Sequence, residues 1–373
     1  MTADPSRYVD GPVTDEAVSD VRPDGPTPDA PTADAPAVDG PSPDAPPVDG
    51  PQPDQVAPDM LATYYRTWTT VAVASKPTPL WSPKAVYLGS TGEVLLYGGT
   101  DPTQAAVADA WTYDGSTWTK VCGPCAPGPR VGHGMVWDAK RDVVVLFGGK
   151  DTALMNDVWE LKSGVWKQVS PAGTGPTPRW GAFMAYDPVR DRTVVFGGYA
   201  GVNMRLDDLF EYDGTSWYGP NLPALRPTGR VSYGSSATFA GSQALVAAAR
   251  NRVVIFGGET ASKVTADDCW AWDGVAWTPL CTACTGTART GAALGFDPAT
   301  GRLVLANGWT GSGEIAGTFE QLGSVWVQTS SSPTKRDHVA MAFDAKRNRF
   351  VQIGGNGDLC GGNCDETLEY VAP

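Results

Sequence analysis

Six times between residues 64 and 373 the chain brings a short apolar run up to a pair of glycines or, once, to Asn-Gly. The doublets are Gly98-Gly99, Gly148-Gly149, Gly197-Gly198, Gly257-Gly258 and Gly354-Gly355, with Asn307-Gly308 in the same place of a degenerate copy. They lie about fifty residues apart, and about sixty before Gly257. The fullest unit runs from Pro129 to Val169. Its run Val143 to Phe147 is β-branched and too short for a buried helix, so it reads as a strand covered on both faces. Gly148-Gly149 then permits positive φ or a close backbone approach. Met135 to Asp138 supplies a strand before this run. Val158 to Leu161 and Trp166 to Val169, divided by a tight polar turn, supply two after it. A lone four-stranded sheet cannot cover both of its faces, so the copies must stack on one another.

An aromatic residue and, about seven positions later, a Trp follow each of five doublets: Trp111 and Trp118, Trp159 and Trp166, Phe210 and Trp217, Trp270 and Trp277, Phe319 and Trp326. Apolar strand, glycine doublet, gap and spaced aromatics together resemble the kelch repeat, over roughly residues 64 to 373. The resemblance implies an all-β fold, a six-bladed kelch-type β-propeller with one four-stranded blade per repeat. The blades would span about 77–121, 127–170, 176–219, 227–280, 286–329, and 333–371 with 64–72. Blade four carries an insertion, Ala240 to Ala249, between its first two strands.

The ends of the repeat array do not match. Tyr64 to Val71 has the character of a last strand but precedes the first repeat. Asp365 to Tyr370 has the character of a third strand and nothing comes after it. The expectation is closure by the N-terminal strand around Trp68, which completes the final blade and removes an open edge.

Residues 1 to 60 are different in kind. Asp recurs every five residues from Asp24 to Asp59, with prolines between. The segment holds thirteen acidic and two basic residues, net −11, against −13 for the whole chain. Such a sequence cannot bury enough apolar surface to fold, and it predicts a disordered acidic Pro-rich stalk over 1–60, with the propeller over 61–373. It is similar to the spacers that follow the lipidated cysteine of bacterial surface lipoproteins, although no such cysteine is present. The near-neutral remainder lacks the basic surface a nucleic-acid partner needs. No run is long and apolar enough for a transmembrane helix. No leader is visible at Met1-Thr2-Ala3-Asp4. Paired cysteines, the spacer and few lysines nonetheless predict an extracellular or cell-surface location, with the leader not visible in this chain.

With strands lettered a to d from the channel outward, the c–d turns are tight, as at Asp114-Gly115-Ser116-Thr117, and the b–c loops are long and varied. Binding residues favour such loops on a rigid scaffold, so the b–c/d–a face is the expected working face. Cys122/Cys125 and Cys281/Cys284 occupy equivalent d–a positions, and Cys360/Cys364 a b–c loop. Blades one and four lie across the ring from each other, which argues against a shared zinc site and for three local disulfides. No thioredoxin-like pattern surrounds them. Cys269 is expected to be buried and inert.

Arg130, Arg179, Arg230, Arg289 and Arg336 open strand a in five blades, with Leu80 in the first. Two roles are open. They can bond neighbouring backbone carbonyls, or ring the channel mouth and hold a carboxylate or phosphate. Kelch adaptors use arginines near this place for acidic peptides, which the resemblance sets beside the wide recurrence of Pro-Arg at this point of kelch repeats as a structural feature. Tyr199 and Trp309, directly after the doublets, and Trp81 and Trp180, directly after the Arg position, can stack on a sugar or peptide or pack between blades.

Catalytic patterns are sparse. The histidines are His133 and His338. Copper radical oxidases also carry kelch repeats, but need a Tyr–Cys arrangement not recognisable here. Tyr113 to Trp118 resembles a sialidase Asp-box lacking one residue, and is explained by hairpin-turn chemistry. No phosphate loop, G-x-S-x-G elbow, H-E-x-x-H motif or cofactor signature occurs. The reading is a monomeric, non-catalytic propeller binding a protein or glycan. A mutarotase- or sialidase-like carbohydrate-active enzyme is the alternative, and a copper radical oxidase a remote third.

Overall fold

The computed structural model describes residues 66–201, 203–357 and 360–372; the expected stalk over 1–60 lies outside them. The described chain forms six four-stranded antiparallel sheets, five of them meanders whose strands follow chain order. Strands a are Lys84–Leu88, Gly134–Asp138, Phe183–Asp187, Ala237–Ala240, Ala293–Asp297 and Ala340–Asp344. Each contacts the next in turn, and the last contacts the first, so they form a closed inner ring. This is a six-bladed β-propeller.

Blade six closes the ring as the unmatched ends require. Its strand order places Thr67–Val71 outside Thr367–Val371, with Trp68 opposite Tyr370 and Thr70 opposite Leu368. The Trp68 indole N–H also donates to Thr318 Oγ1 of blade five at 2.8 Å. The ring is therefore held by hydrogen-bonded strand pairing between the two ends of the repeat array.

The core is divided among the six gaps between blades. Ala85, Val94 and Leu96 of blade one pack on Ala340, Val351 and Ile353 of blade six. Val145 and Phe147 of blade two pack on Met184, Val195 and Phe210 of blade three. Successive residues of a strand point to opposite faces, so every inner strand serves two gaps and reads as a continuous apolar run.

The glycine doublets are where blades touch most closely. The second glycine's N–H donates to the carbonyl opening the next blade: Gly99 to Arg130, Gly149 to Arg179, Gly198 to Arg230, Gly258 to Arg289, Gly308 to Arg336 and Gly355 to Leu80, at 2.8–3.0 Å. A Cβ on the first glycine would lie 2.8 Å from the Arg130 carbonyl oxygen at Gly98 and 2.5 Å from that of Arg289 at Gly257. Positive φ at both positions completes the case for glycine. Asn307, at φ 63°, tolerates the same conformation.

Blade four departs twice. Its a–b insertion carries a short 3-10 turn, Ala247–Ala249, and the Leu245 N–H donates to Gly301 O of blade five. Its entry to strand a also holds two extra residues. In blade five Ala293 comes four residues after Arg289; in blade four Ser236, six after Arg230, takes the equivalent place beside Phe256. The surplus bulges at Tyr233-Gly234. A Cβ on Gly234 would sit 2.4 Å from Ala292 O, so only glycine passes there.

Candidate functional site

The arginine ring does not form. All five guanidinium groups are buried, and each is engaged within its own blade. Arg130 grips Asp157 with two bonds of 2.9 Å and donates to Gly148 O at 3.0 Å. Arg179 does the same to Asp208 and Gly197 O, and Arg230 to Asp268 and Gly257 O. Arg336 pairs with Glu366 at 2.7 Å and Gly354 O. Arg289 reaches Asn307 O without a carboxylate and lies over the Phe319 ring; burial pushes it down to about 10. Four of the arginines thus fasten the doublet loop to the start of strand c, and Arg289 bonds the doublet loop without a strand-c carboxylate. The ligand role expected for Arg130, Arg179, Arg230, Arg289 and Arg336 is corrected: none offers a free fork to the channel mouth.

The b–c/d–a end of the channel is instead floored by rings. Trp81 packs on His338 at 4.6 Å, His338 on Tyr233 at 5.2 Å, and Tyr233 on Trp180 at 4.7 Å. Tyr199 meets Trp180 edge-on at 6.4 Å. The Tyr233 bulge of blade four carries this row across the axis, joining blades six, one, four and three. Ser82 and Lys84 of blade one donate to the Tyr233 carbonyl from the opposite side. Trp81, Trp180, Tyr199 and Tyr233 are half-exposed. Arg205 lies over Tyr199 at 5.7 Å and is ion-paired with Glu259; the Lys150 ammonium lies over Trp180 at 5.7 Å. Trp309, at the equivalent place in blade five, is also half-exposed but makes no ring contact with this row. Tyr233 was not legible as a floor residue, because its place depends on the two-residue bulge.

A second concavity lies along the axis. A cavity of about 380 Å³ runs between the strands a toward the a–b turns. Tyr87, Trp137, Tyr186, Phe239, Phe296 and Phe343 line its turn end, one from each blade, in equivalent positions near the end of strand a. Four of these immediately precede an Asp, as in Trp137-Asp138, which is the signal that could have found them. Lys84 is the only charged side chain in the lining. It is buried, and desolvation pushes its ammonium down to about 7.

His133 is fully buried against Tyr97, with no protein partner on either ring nitrogen. Burial, then Arg130 and Lys84, hold it well below the usual imidazole range, so it is neutral. His338 Nδ1 lies 2.8 Å from Asp337 Oδ1. Among the described residues, the one cluster of possible metal-ligand atoms is Cys360, Cys364 and Glu366. Its two sulfurs are bonded to each other, as are those of Cys122 with Cys125 and Cys281 with Cys284. Cys269 is a buried free thiol.

The family model of the KLHDC2/KLHL20/DRC7 Kelch-repeats domain matches residues 117–241. Kelch repeats are thus matched over part of this six-bladed propeller. A solved structure titled "Structure of YjhT" superposes with a TM-score of 0.60, covering 80% of this chain and 97% of that one at 14% identity. That likeness is one of fold. In this propeller the arginines hold the loops and the rings floor one face. Among the described residues no helix is long and apolar enough to cross a membrane.

Proposed function

We propose that this kelch propeller is a non-catalytic binding module that works outside the cytoplasm and recognises a protein or glycan on its b–c/d–a face. The observation that carries this reading is the row Trp81, His338, Tyr233, Trp180 and Tyr199, laid across the axis by four blades. Half-exposed ring faces stack on sugar rings or apolar side chains, and Trp and Tyr combine an apolar body with a polar tip. The Arg205–Glu259 pair at the margin adds hydrogen-bonding groups of both signs. Trp309 extends the same face on blade five. The three disulfides support an oxidising compartment.

The test is a glycan and surface-protein binding screen on the wild type, repeated with Trp180→Ala, Tyr199→Ala and Trp309→Ala. Loss of a captured ligand in the first two variants, with melting unchanged, is the expected result. Retention of every captured ligand in all three would remove this face as the binding surface.

A further inference from the structure

The axial cavity lies on the other side of the ring-lined floor, shares the Tyr233-Gly234 bulge with it and opens away from it. Its inner end is defined by one contact. Lys84 of blade one donates through Nζ to Tyr233 O at 3.1 Å and to Gly234 O at 2.6 Å, both on blade four. Blades one and four are opposite members of a six-membered ring, so a bond between them places the ammonium on the axis. The two carbonyls take two of its three protons. No carboxylate among the described residues pairs with it, and desolvation alone accounts for its displaced titration. A buried ammonium without a counter-ion is unfavourable, and an anion arriving there is favoured on both electrostatic and hydrogen-bonding grounds.

The rest of the lining sets the remainder of the ligand. Beyond Lys84 the walls carry Val86, Met135, Met184, Leu294 and Met341, with Ser236 and Thr238 among them, and the six-ring collar lines the turn end. No second charge lines this path and apolar side chains predominate, so the part of the ligand beyond its anionic head is neutral and largely apolar. A volume of about 380 Å³ is near the small end of ligand sites, which run to about 1,000 Å³. It suits one slender chain rather than a branched or two-tailed molecule. Unbranched methionines adapt to such a chain, and the collar gives its far end apolar contact on every side.

We propose that the axial cavity is a binding site for a single-chain apolar carboxylate, its head on Lys84 and its tail running out through the collar of Tyr87, Trp137, Tyr186, Phe239, Phe296 and Phe343.

The probe is decanoate, titrated below its micelle concentration into the full chain, against decanol and decyltrimethylammonium. The expected result is one saturable site that takes decanoate about tenfold or more tighter than decanol and excludes the ammonium, the margin of one charge-assisted hydrogen bond. A decanoate brominated at its tail should quench tryptophan emission, and Trp137→Phe should remove a distinct part of that quenching without changing stoichiometry. In Lys84→Met, decanoate should lose its advantage over decanol. Equal affinity for decanoate and decanol in the wild type, absence of saturable binding, or an undiminished preference in a folded Lys84→Met would each overturn the assignment. If Lys84→Met does not melt cooperatively, the head-group comparison and the quenching in the wild type decide alone.

Discussion

Arg66 and Asp297 form a buried ion pair, Nη2 to Oδ2 at 2.8 Å, that joins the entry of the closing strand to the turn end of strand a in blade five. The same guanidinium donates to the Asn348 side-chain oxygen at 2.9 Å and to its backbone carbonyl at 2.5 Å in blade six. The pair fills a gap in the repeat. In blades two, three and six the Asp ending strand a takes an Arg three residues on: Asp138 with Arg141, Asp187 with Arg190, Asp344 with Arg347. Blade five has Thr300 at that place, and Arg66 supplies the missing cation from another part of the chain.

Arg66→Ala should therefore destabilise the propeller by roughly 3–5 kcal/mol, because it leaves Asp297 buried and unpaired. Asp297→Ala should be less than additive with it, as a double-mutant cycle in urea would show. Truncation through Val71 should be worse than either, since it also removes the outer strand of blade six and the Trp68 anchor. Additive effects of Arg66→Ala and Asp297→Ala would mean that the pair contributes nothing specific to closure.

A second bolt runs between blades on the same a–b/c–d face. Strand-c glutamates accept from an aromatic of the next blade: Glu160 from Tyr212, Glu211 from Trp272, Glu320 from Tyr370 and Glu369 from Tyr113. Where strand c has Thr112 or Ala271 instead, the next blade has Leu161 or Gln321. Partner and acceptor change together, offset by one repeat. Tyr113→Phe and Glu369→Gln should each destabilise by about 1–2 kcal/mol and couple to each other, because either leaves a buried polar atom short of a partner. Thermal melts of the two single variants and the double variant would check this.

Much of the fold was legible because rotation repeats every signal. The doublets, the spaced aromatics and the unmatched strand at Trp68 all came from counting. The face of the arginines was not, since position in a repeat places a Cα but not the direction of a guanidinium. Its partner was within reach: Asp157 and Asp268 follow the second glycine of their doublets at eight and ten residues. Arg66 was missed because its place is set by a substitution in blade five, Thr300 for the usual Arg, far away in sequence. The floor was missed in part because the Tyr233-Gly234 bulge is an exception to the repeat, and repetition makes exceptions hard to see.

The arginine positions carry their own prediction. Arg179 holds Asp208 at 2.5 and 2.9 Å, Gly197 O at 2.9 Å and Thr177 O at 3.0 Å with one planar fork. A lysine cannot make these bonds together. Arg179→Lys should lower stability by about 2–3 kcal/mol, yet leave ligand capture by the folded protein unchanged. A fall in affinity without a fall in melting temperature would return the arginine to the binding surface.

Cys269 is fully buried beside strand d of blade four, and burial pushes its thiol far above the usual range. Reactivity follows the exposed thiolate, so this group should be silent in the folded protein. An aromatic disulfide reagent should find no thiol in the native chain and one per chain in guanidinium, with the six other cysteines remaining paired. Two or more thiols before unfolding would mean that a pair among Cys122/Cys125, Cys281/Cys284 and Cys360/Cys364 is reduced.

The last prediction concerns pH. Lys84 is pushed down to about 7 by burial, whereas in the unfolded chain it titrates near 10.4. Between those values the unfolded state binds more protons, so stability must rise with pH across this window. Below pH 7 both states carry the charge and the folded protein bears the full burden of burying it. From pH 7 to pH 9, without added carboxylate, the wild type should gain about 2 kcal/mol relative to Lys84→Met. The comparison with Lys84→Met removes the other titrating groups from the difference. Urea unfolding at several pH values would measure it, and a flat difference would show that the ammonium on the axis is solvated or neutralised by a partner within the protein. Decanoate should flatten the wild-type curve from the low-pH side, because the bound carboxylate stabilises the protonated amine that burial disfavours.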